Sequence, residues 1–428
     1  MKRTLVILMA MLLLCTTWVP ALATAESTEL RQNKDAATTI RVFTWGYPAE
    51  KLAREQQAQL YMDTHPDVNI LVEVSPDYDR KLAAMLNSGD GPDVFETSDD
   101  WFHLWQDELT DLNEFVKRDG MKVEEIFEPR ALAGFWTPEG KLESLPIGLC
   151  PTIMAVNKDL FAAAGVEVPS GKWTWEDARD IAIKLTSGEG ADKVYGFADN
   201  WMYDQLVPYF TGGSYYSEDR KSIVANSPES VAGLQFYHEL IHKYKVYPDF
   251  NAAAGVQGNQ RFYAGKAAMV PINMWDILDF VSQIGDAFDW DLIMMPSSSV
   301  TGKVQLWSIV EGYGIWEGSN NKEAAWEYIK WATTDPAALK LSAIAAVPLA
   351  KDGAKLVVEQ DFGRKLDLQK FADAVQFAIL TQPGGAFQEV NDIISENIND
   401  LKKDARSIEE IVKSIVEQAQ PALDRAWM

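Results

Sequence analysis

The chain has 428 residues, 47% of them hydrophobic and 24% charged, and it is rich in rings, with 15 Trp, 14 Tyr and 18 Phe. That length accommodates two domains, each with its own core. A formal charge of −24 argues against nucleic acid and anionic lipid as partners; a neutral or cationic solute suits it better.

The N-terminus reads as a secretory signal over residues 1–25. Lys2 and Arg3 precede an apolar run from Thr4 to Leu14, and Ala21-Leu22-Ala23-Thr24-Ala25 supplies the small residues of a cleavage site after Ala23 or Ala25. The run is too short to span a bilayer. Cys15 follows Leu14, a large residue where a lipid-attachment signal carries a small one, so a soluble exported product is expected rather than a lipoprotein. Without the leader and its two cations the charge becomes −26, and Cys150 is the one cysteine left, read as a small buried hydrophobe. Residues 26–38 are polar and aperiodic, a tether.

Ile40–Trp45 is a first buried strand, Gly46-Tyr47-Pro48 its turn, Glu50–Thr64 a helix and Val68–Val74 a second strand. This β-α-β unit predicts parallel pairing with a right-handed crossover and puts Trp45 and Tyr47 at the strand's carboxyl end, on the ligand side. In KLAAMLNSGDGPDVFETSDDW, from Lys81 to Trp101, Leu82, Met85 and Leu86 have helical spacing and Gly89-Asp90-Gly91-Pro92 breaks the helix. Val94-Phe95 then forms a strand, which delivers Ser98, Asp99 and Asp100 to a loop where open α/β sheets bind ligands. One aspartate can cap the next helix while the other meets ligand hydroxyls or a cationic group.

Further on, Thr174 and Asp177 approximate a capping box beside Trp175. Trp201 and Tyr203 lie in a loop after the strand Tyr195–Phe197, a polar and aromatic mixture suited to stacking on a sugar face. His238 and His242 are spaced i, i+4 on a helix; without a third ligand they are expected on a solvated face, and no metal is assigned. The sequence has no G-x-S-x-G, H-E-x-x-H or P-loop and no paired Cys, so no catalytic residue and no cofactor are assigned.

Five blocks in order carry a family resemblance: SGDGPDV after Asn87, LPIGLCPTIMAVNKDLFAAAGVEVP from Leu145, FYAGKAAMVP from Phe262, WDLIMMP from Trp290, and AAVPL from Ala345. Together they resemble family 1 of the extracellular solute-binding proteins of bacterial ABC importers, the type that includes maltose- and oligosaccharide-binding proteins. Val156 stands where that family has a tyrosine. The resemblance implies an α/β, two-lobed periplasmic-binding-protein fold of type II, each lobe a mainly parallel sheet flanked by helices. Three interlobe crossovers would lie near Gly148, Val310 and Pro348, giving lobe 1 from 39–148 and 311–348 and lobe 2 from 149–310 and 349–428.

It also implies ligand contacts at Trp275, with Asp276 beside it, at Glu311, Gly312 and Tyr313 on a crossover, and at Phe387 in a loop of the last segment. The expected role is capture of a sugar, a di- or oligosaccharide, by a monomer outside the cytoplasm and its delivery to transmembrane permease subunits. Two other readings stay open from the residues alone: a secreted glycosidase using Asp99 or Asp100 with Glu311, which requires a particular carboxylate separation, and a surface adhesin.

Overall fold

In the computed structural model the described residues run from 30 to 426, apart from 34, 100–103, 138, 199, 201–203, 205, 249, 251–257 and 380–386 and the side chains of 387, 388 and 426. The elements that carry the argument are, in chain order, β1 (Thr38–Trp45), α1 (Pro48–Thr64), β2 (Val68–Ser75), α2 (Tyr78–Asn87), β3 (Val94–Ser98), β4 (Ser144–Pro151) and β5 (Ile153–Asn157). Next come α3 (Trp175–Leu185), β6 (Tyr195–Phe197), α4 (Pro228–His242), β7 (Ala267–Ile272), α5 (Ile277–Ile284) and β8 (Trp290–Ile293). The chain continues through β9 (Leu306–Ile315), α6 (Lys322–Thr334), α7 (Pro336–Ser342), β10 (Val347–Pro348), β11 (Ala378–Ile379), α8 (Phe387–Lys402) and α9 (Ile408–Ala426). No helix among the described residues is long and apolar enough to cross a membrane.

Two sheets organise the molecule. The first runs β10-β4-β9-β3-β1-β2 with β11 added to β9, and the second runs β6-β7-β5-β8. Each has its own apolar core. Phe43, Phe95, Tyr313, Trp326 and Ile329 pack around the first sheet; Met154, Trp175, Phe197, Tyr237, Phe280, Ile394 and Ile415 pack around the second. The fold is the two-lobed, type II arrangement.

The strand pairing differs from the expectation of mainly parallel sheets. β1 is parallel to β2 and β3, but β9 is antiparallel to both β3 and β4, and β5 is antiparallel to β7 and β8. The β-α-β reading holds where a helix returns the chain to the same end of the sheet. β9 enters the first sheet from the other lobe, with no such helical return, and it is accommodated with the opposite polarity.

The crossovers lie side by side. Pro348 is paired with Gly148, Gly148 with Glu311 and Leu149 with Val310, so three segments passing between the lobes share one ladder. A Cβ on Gly148 would lie 2.6 Å from the Ala346 side chain, so the close approach of these segments needs glycine. β9 changes core along its length: Leu306 belongs to the second and Val310 to the first. Local signals are kept in the second lobe. The Thr174 hydroxyl accepts from the Asp177 N–H at 3.2 Å, and the Asp177 carboxylate accepts from the Thr174 N–H at 2.8 Å, closing the capping box that opens α3.

Candidate functional site

The gap between the lobes is bounded on the first-lobe side by the start of α1. Pro48 at its first turn presets the helix, and Tyr47 immediately before it is the most open large ring of this region, 46% exposed. On the second-lobe side, β7 ends in a 3-10 turn, Met274–Asp276, that precedes α5. Tyr47 and Trp275 meet across the gap with ring centroids 5.8 Å apart. Trp45, at the end of β1, lies against Tyr78 with centroids 3.8 Å apart. Beside them Ala49, Ala53 and Ala345 form a small apolar contact with Leu278 of α5, so small side chains let the lobes approach here.

Beneath this lies a cluster that apolar periodicity hides. The buried face of α1 carries Glu50, Arg54 and Gln57, polar residues at helical spacing, among Ala49, Ala53, Ala58 and Tyr61. The Arg54 guanidinium pairs with Glu96 of β3 and lies 3.3 Å from Glu311 Oε2 of β9, with all three side chains buried. It also donates to Ser342 Oγ at 3.2 Å and sits over the Tyr313 ring at 5.5 Å. The Cys150 thiol donates to Glu311 Oε1 at 3.5 Å.

Three carboxyl groups, Glu50, Glu96 and Glu311, thus surround a single guanidinium away from water. Burial pushes Glu311 up to about 7, with Arg54 opposing and Glu96 adding to the rise. Burial likewise raises Glu50 well above the usual carboxylate range, helped by Glu311 and Glu96. Desolvation disfavours charge, and one cation cannot neutralise three anions, so the cluster holds protons into the neutral range.

The predicted site residues therefore separate into groups. Tyr47, Trp275 and Asp276 come together between the lobes, while Trp45 packs on Tyr78 of its own lobe. Ser98, Asp99, Glu311, Gly312 and Tyr313 are drawn into the packed ladder of β3 and β9, with Ser98 opposite Glu311 and Thr97 opposite Gly312. Asp99 clasps that ladder: its N–H donates to Val310 O at 3.0 Å and its carboxylate accepts from the Val310 N–H at 2.9 Å. A Cβ on Gly312 would lie 2.8 Å from the Phe135 ring and 3.0 Å from Thr97 Oγ1.

Asp276 accepts from the Asn273 N–H at 2.9 Å, and burial raises it to about 7 against that bond. Asp100, Trp201 and Tyr203 lie outside the described residues, as does the side chain of Phe387, whose backbone opens α8. Two further features escaped sequence reasoning. Glu50, Arg54 and Gln57 form a polar stripe at i, i+4, i+7 that would be read as a solvent face, although a cation and an anion recurring on the same face was an available signal. Asn273 is the other: its side chain donates to Cys150 O at 2.8 Å and ties β7 to β4.

Two lobes joined by shared strands, with Tyr47 and Trp275 meeting between them, are the arrangement of a solute-capturing class of protein. The family model of the bacterial extracellular solute-binding proteins matches residues 44–339, and the chain belongs to that family. It is 24% identical over 385 residues to a maltotriose-binding protein of Pyrococcus abyssi, covering 87% of this chain and 79% of that one. It is 21% identical over 438 residues to the sn-glycerol-3-phosphate-binding periplasmic protein of Escherichia coli K12, covering 95% and 97%.

Among solved structures it resembles an ABC substrate-binding protein of Listeria monocytogenes in complex with cycloalternan, with a TM-score of 0.80 and 22% identity over 90% of this chain and 98% of that one. A maltose-bound protein of Thermotoga maritima gives a TM-score of 0.72 at 21% identity, over 90% and 100%. The family is one of binding proteins, extracytoplasmic in place, and the glycosidase and adhesin readings give way to it.

Proposed function

We propose that the protein captures a sugar, a di- or oligosaccharide, between its lobes and presents it to the transmembrane permease subunits of an ABC importer, working as a monomer after removal of residues 1–25. The observation that carries this reading is the pairing of Tyr47 and Trp275 from opposite lobes at 5.8 Å. Aromatic faces take up the apolar faces of sugar rings while neighbouring polar groups take hydroxyls. A solute held between the lobes contacts both at once, and that extra contact selects the closed form.

The relatives divide between a sugar and a phosphate ester, and the electrostatics favour the sugar. Among the described residues the buried charged groups of this region are Glu50, Arg54, Glu96, Asp99, Asp276 and Glu311. Arg54 is the cation of that set, and it is buried and engaged by Glu96 and Glu311. A phosphate needs a donor cluster such as arginine supplies bidentately, and this one is already committed.

Residues 39–148 with 311–348 are proposed to move as one lobe against 149–310 with 349–428, bending at the paired crossovers. Ser98, Asp99, Glu311, Gly312 and Tyr313 then shape the floor from behind, and Asp100, Trp201, Tyr203 and Phe387 are proposed to complete the contacts. Titration of the mature protein with maltose, maltotriose, mannobiose and sn-glycerol-3-phosphate, followed by Trp fluorescence, tests the reading. A sugar is expected to change the emission, and Trp275→Ala to weaken that sugar at least tenfold, the loss of one stacked ring in a closed site. A response to the phosphate ester alone would overturn the sugar assignment and leave the fold untouched.

A further inference from the structure

The His238–His242 pair, read from sequence as a solvated face, has a third donor. The two imidazoles stand one turn apart at the end of α4, with ring centroids 4.4 Å apart. Facing them is the turn between α8 and α9. There Asp404 adopts a left-handed backbone, φ 53°, and its Oδ1 lies 2.9 Å from His238 Nε2. One donor atom from each of His238, His242 and Asp404 lies within 4.8 Å of those of the other two.

We propose that His238, His242 and Asp404 form a binding site for one divalent transition-metal ion of the zinc type, in the second lobe and apart from the interlobe gap. The donor set decides the class of ion. Two imidazoles and one carboxylate suit zinc, and nickel or copper as competitors, whereas calcium and magnesium demand an all-oxygen shell. Bonds of ~2.0–2.1 Å in a tetrahedron place ligand atoms about 3.3 Å apart. The His238–Asp404 separation of 2.9 Å is already close to that. The fourth position falls to water, because Asp404 is exposed and the imidazoles only partly covered.

The surroundings are built as metal sites are. His242 Nε2 faces Leu401 O at 3.1 Å, and a metal-bound imidazole characteristically gives its other N–H to a backbone carbonyl. With Nε2–H so engaged, the Nδ1 lone pair of His242 is the one left for the metal. The turn that carries Asp404 is itself fixed. Lys402 pairs with Asp204 at 2.7 Å, both nearly buried, and Arg406 bonds Asn397 Oδ1 at 2.6 Å and Asp400 at 2.8 Å. The ion would join α4 to the α8–α9 hairpin, elements 166 residues apart at the His238–Asp404 contact.

The test is titration of the untagged mature protein with zinc chloride by calorimetry, together with the visible absorption of its cobalt(II) form. Expected are one zinc per chain, tetrahedral cobalt bands and a rise of several degrees in the unfolding midpoint. His238→Gln with His242→Gln is expected to lose at least tenfold in affinity, and Asp404→Asn, on an exposed turn where folding is not at stake, to change the cobalt spectrum. Zinc bound equally by the wild type and the double variant, or a cobalt spectrum unchanged in Asp404→Asn, overturns the three-donor site. Sugar affinity is read alongside and is expected to stay constant, which separates this outcome from that of the proposed transport role.

Discussion

The two walls of the interlobe gap solve the same problem, holding an aromatic ring in place, by different chemistry. On the first-lobe wall, α1 is anchored from below by an ionic cluster in which Arg54 gathers Glu96 and Glu311 while Gln57 donates to Ala332 O, Ala338 O and Ser342 Oγ at 3.3, 3.0 and 2.9 Å. On the second-lobe wall, Trp275 sits in a short turn held by neutral hydrogen bonds of Asn273, one to Asp276 and one to Cys150 O. Charge held without water is sensitive to proton concentration and fails badly when one partner is removed. A clasp of ordinary hydrogen bonds is less costly to break, although burial makes Asp276 within it keep a proton up to about 7.

The sharpest break in that contrast is Arg54→Ala. It strands Glu96 and Glu311 in the interior and is expected to cost about 3–5 kcal/mol, the penalty for removing one partner of a buried pair, read by urea unfolding. Should that variant fail to accumulate, Arg54→Lys keeps the charge but not the fork and is expected to be destabilised in the same direction by less.

The pH dependence comes next. Glu311 and Asp276 keep a proton up to about 7 in the folded chain and release it near the ordinary carboxylate value of about 4 when unfolded. Between those limits the folded state binds more protons, so their contribution is complete below about pH 4 and is lost as pH rises through 7. The expected fall in stability between pH 5 and pH 8 is on the order of 1–3 kcal/mol, followed as unfolding midpoints. Surface carboxylates held low by partners, such as Asp289 beside Lys158 and Glu410 beside Ser407, act with the opposite sign and below that window. Glu311→Gln is expected to flatten the slope, and an unchanged slope would show that the ionic wall does not titrate.

The smallest effect belongs to the neutral wall. Asn273→Ala leaves the buried Cys150 carbonyl without that donor and is expected to cost about 1–2 kcal/mol, with no change in the pH slope. A larger loss than Arg54→Ala produces would reverse the ranking of the walls.

Much of the architecture was legible because it is written locally. The helix-breaking Gly-Asp-Gly-Pro before β3, the Thr174 capping box, the glycine at Gly265 ahead of β7 and the burial of Cys150 follow from neighbours in sequence. Gly148, Val310 and Pro348, singled out by resemblance, lie on strands paired in one ladder. Two things were not legible. Antiparallel insertion of β9 depends on which end of the sheet the chain re-enters, which no periodicity records. The partners of Arg54 and of His238 lie 42 to 288 and 166 residues away, so sequence spacing shows an isolated cation and an isolated imidazole pair where the fold makes clusters.

Neither lobe is made from one unbroken stretch. The first core is finished by Tyr313 on β9 and by Trp326 and Ile329 on α6, and the second waits for Ile394, Ile411 and Ile415 on α8 and α9. A nascent chain therefore reaches almost its full length before either half can seal its interior. The order in which the lobes are assembled thus defers folding until synthesis is nearly done.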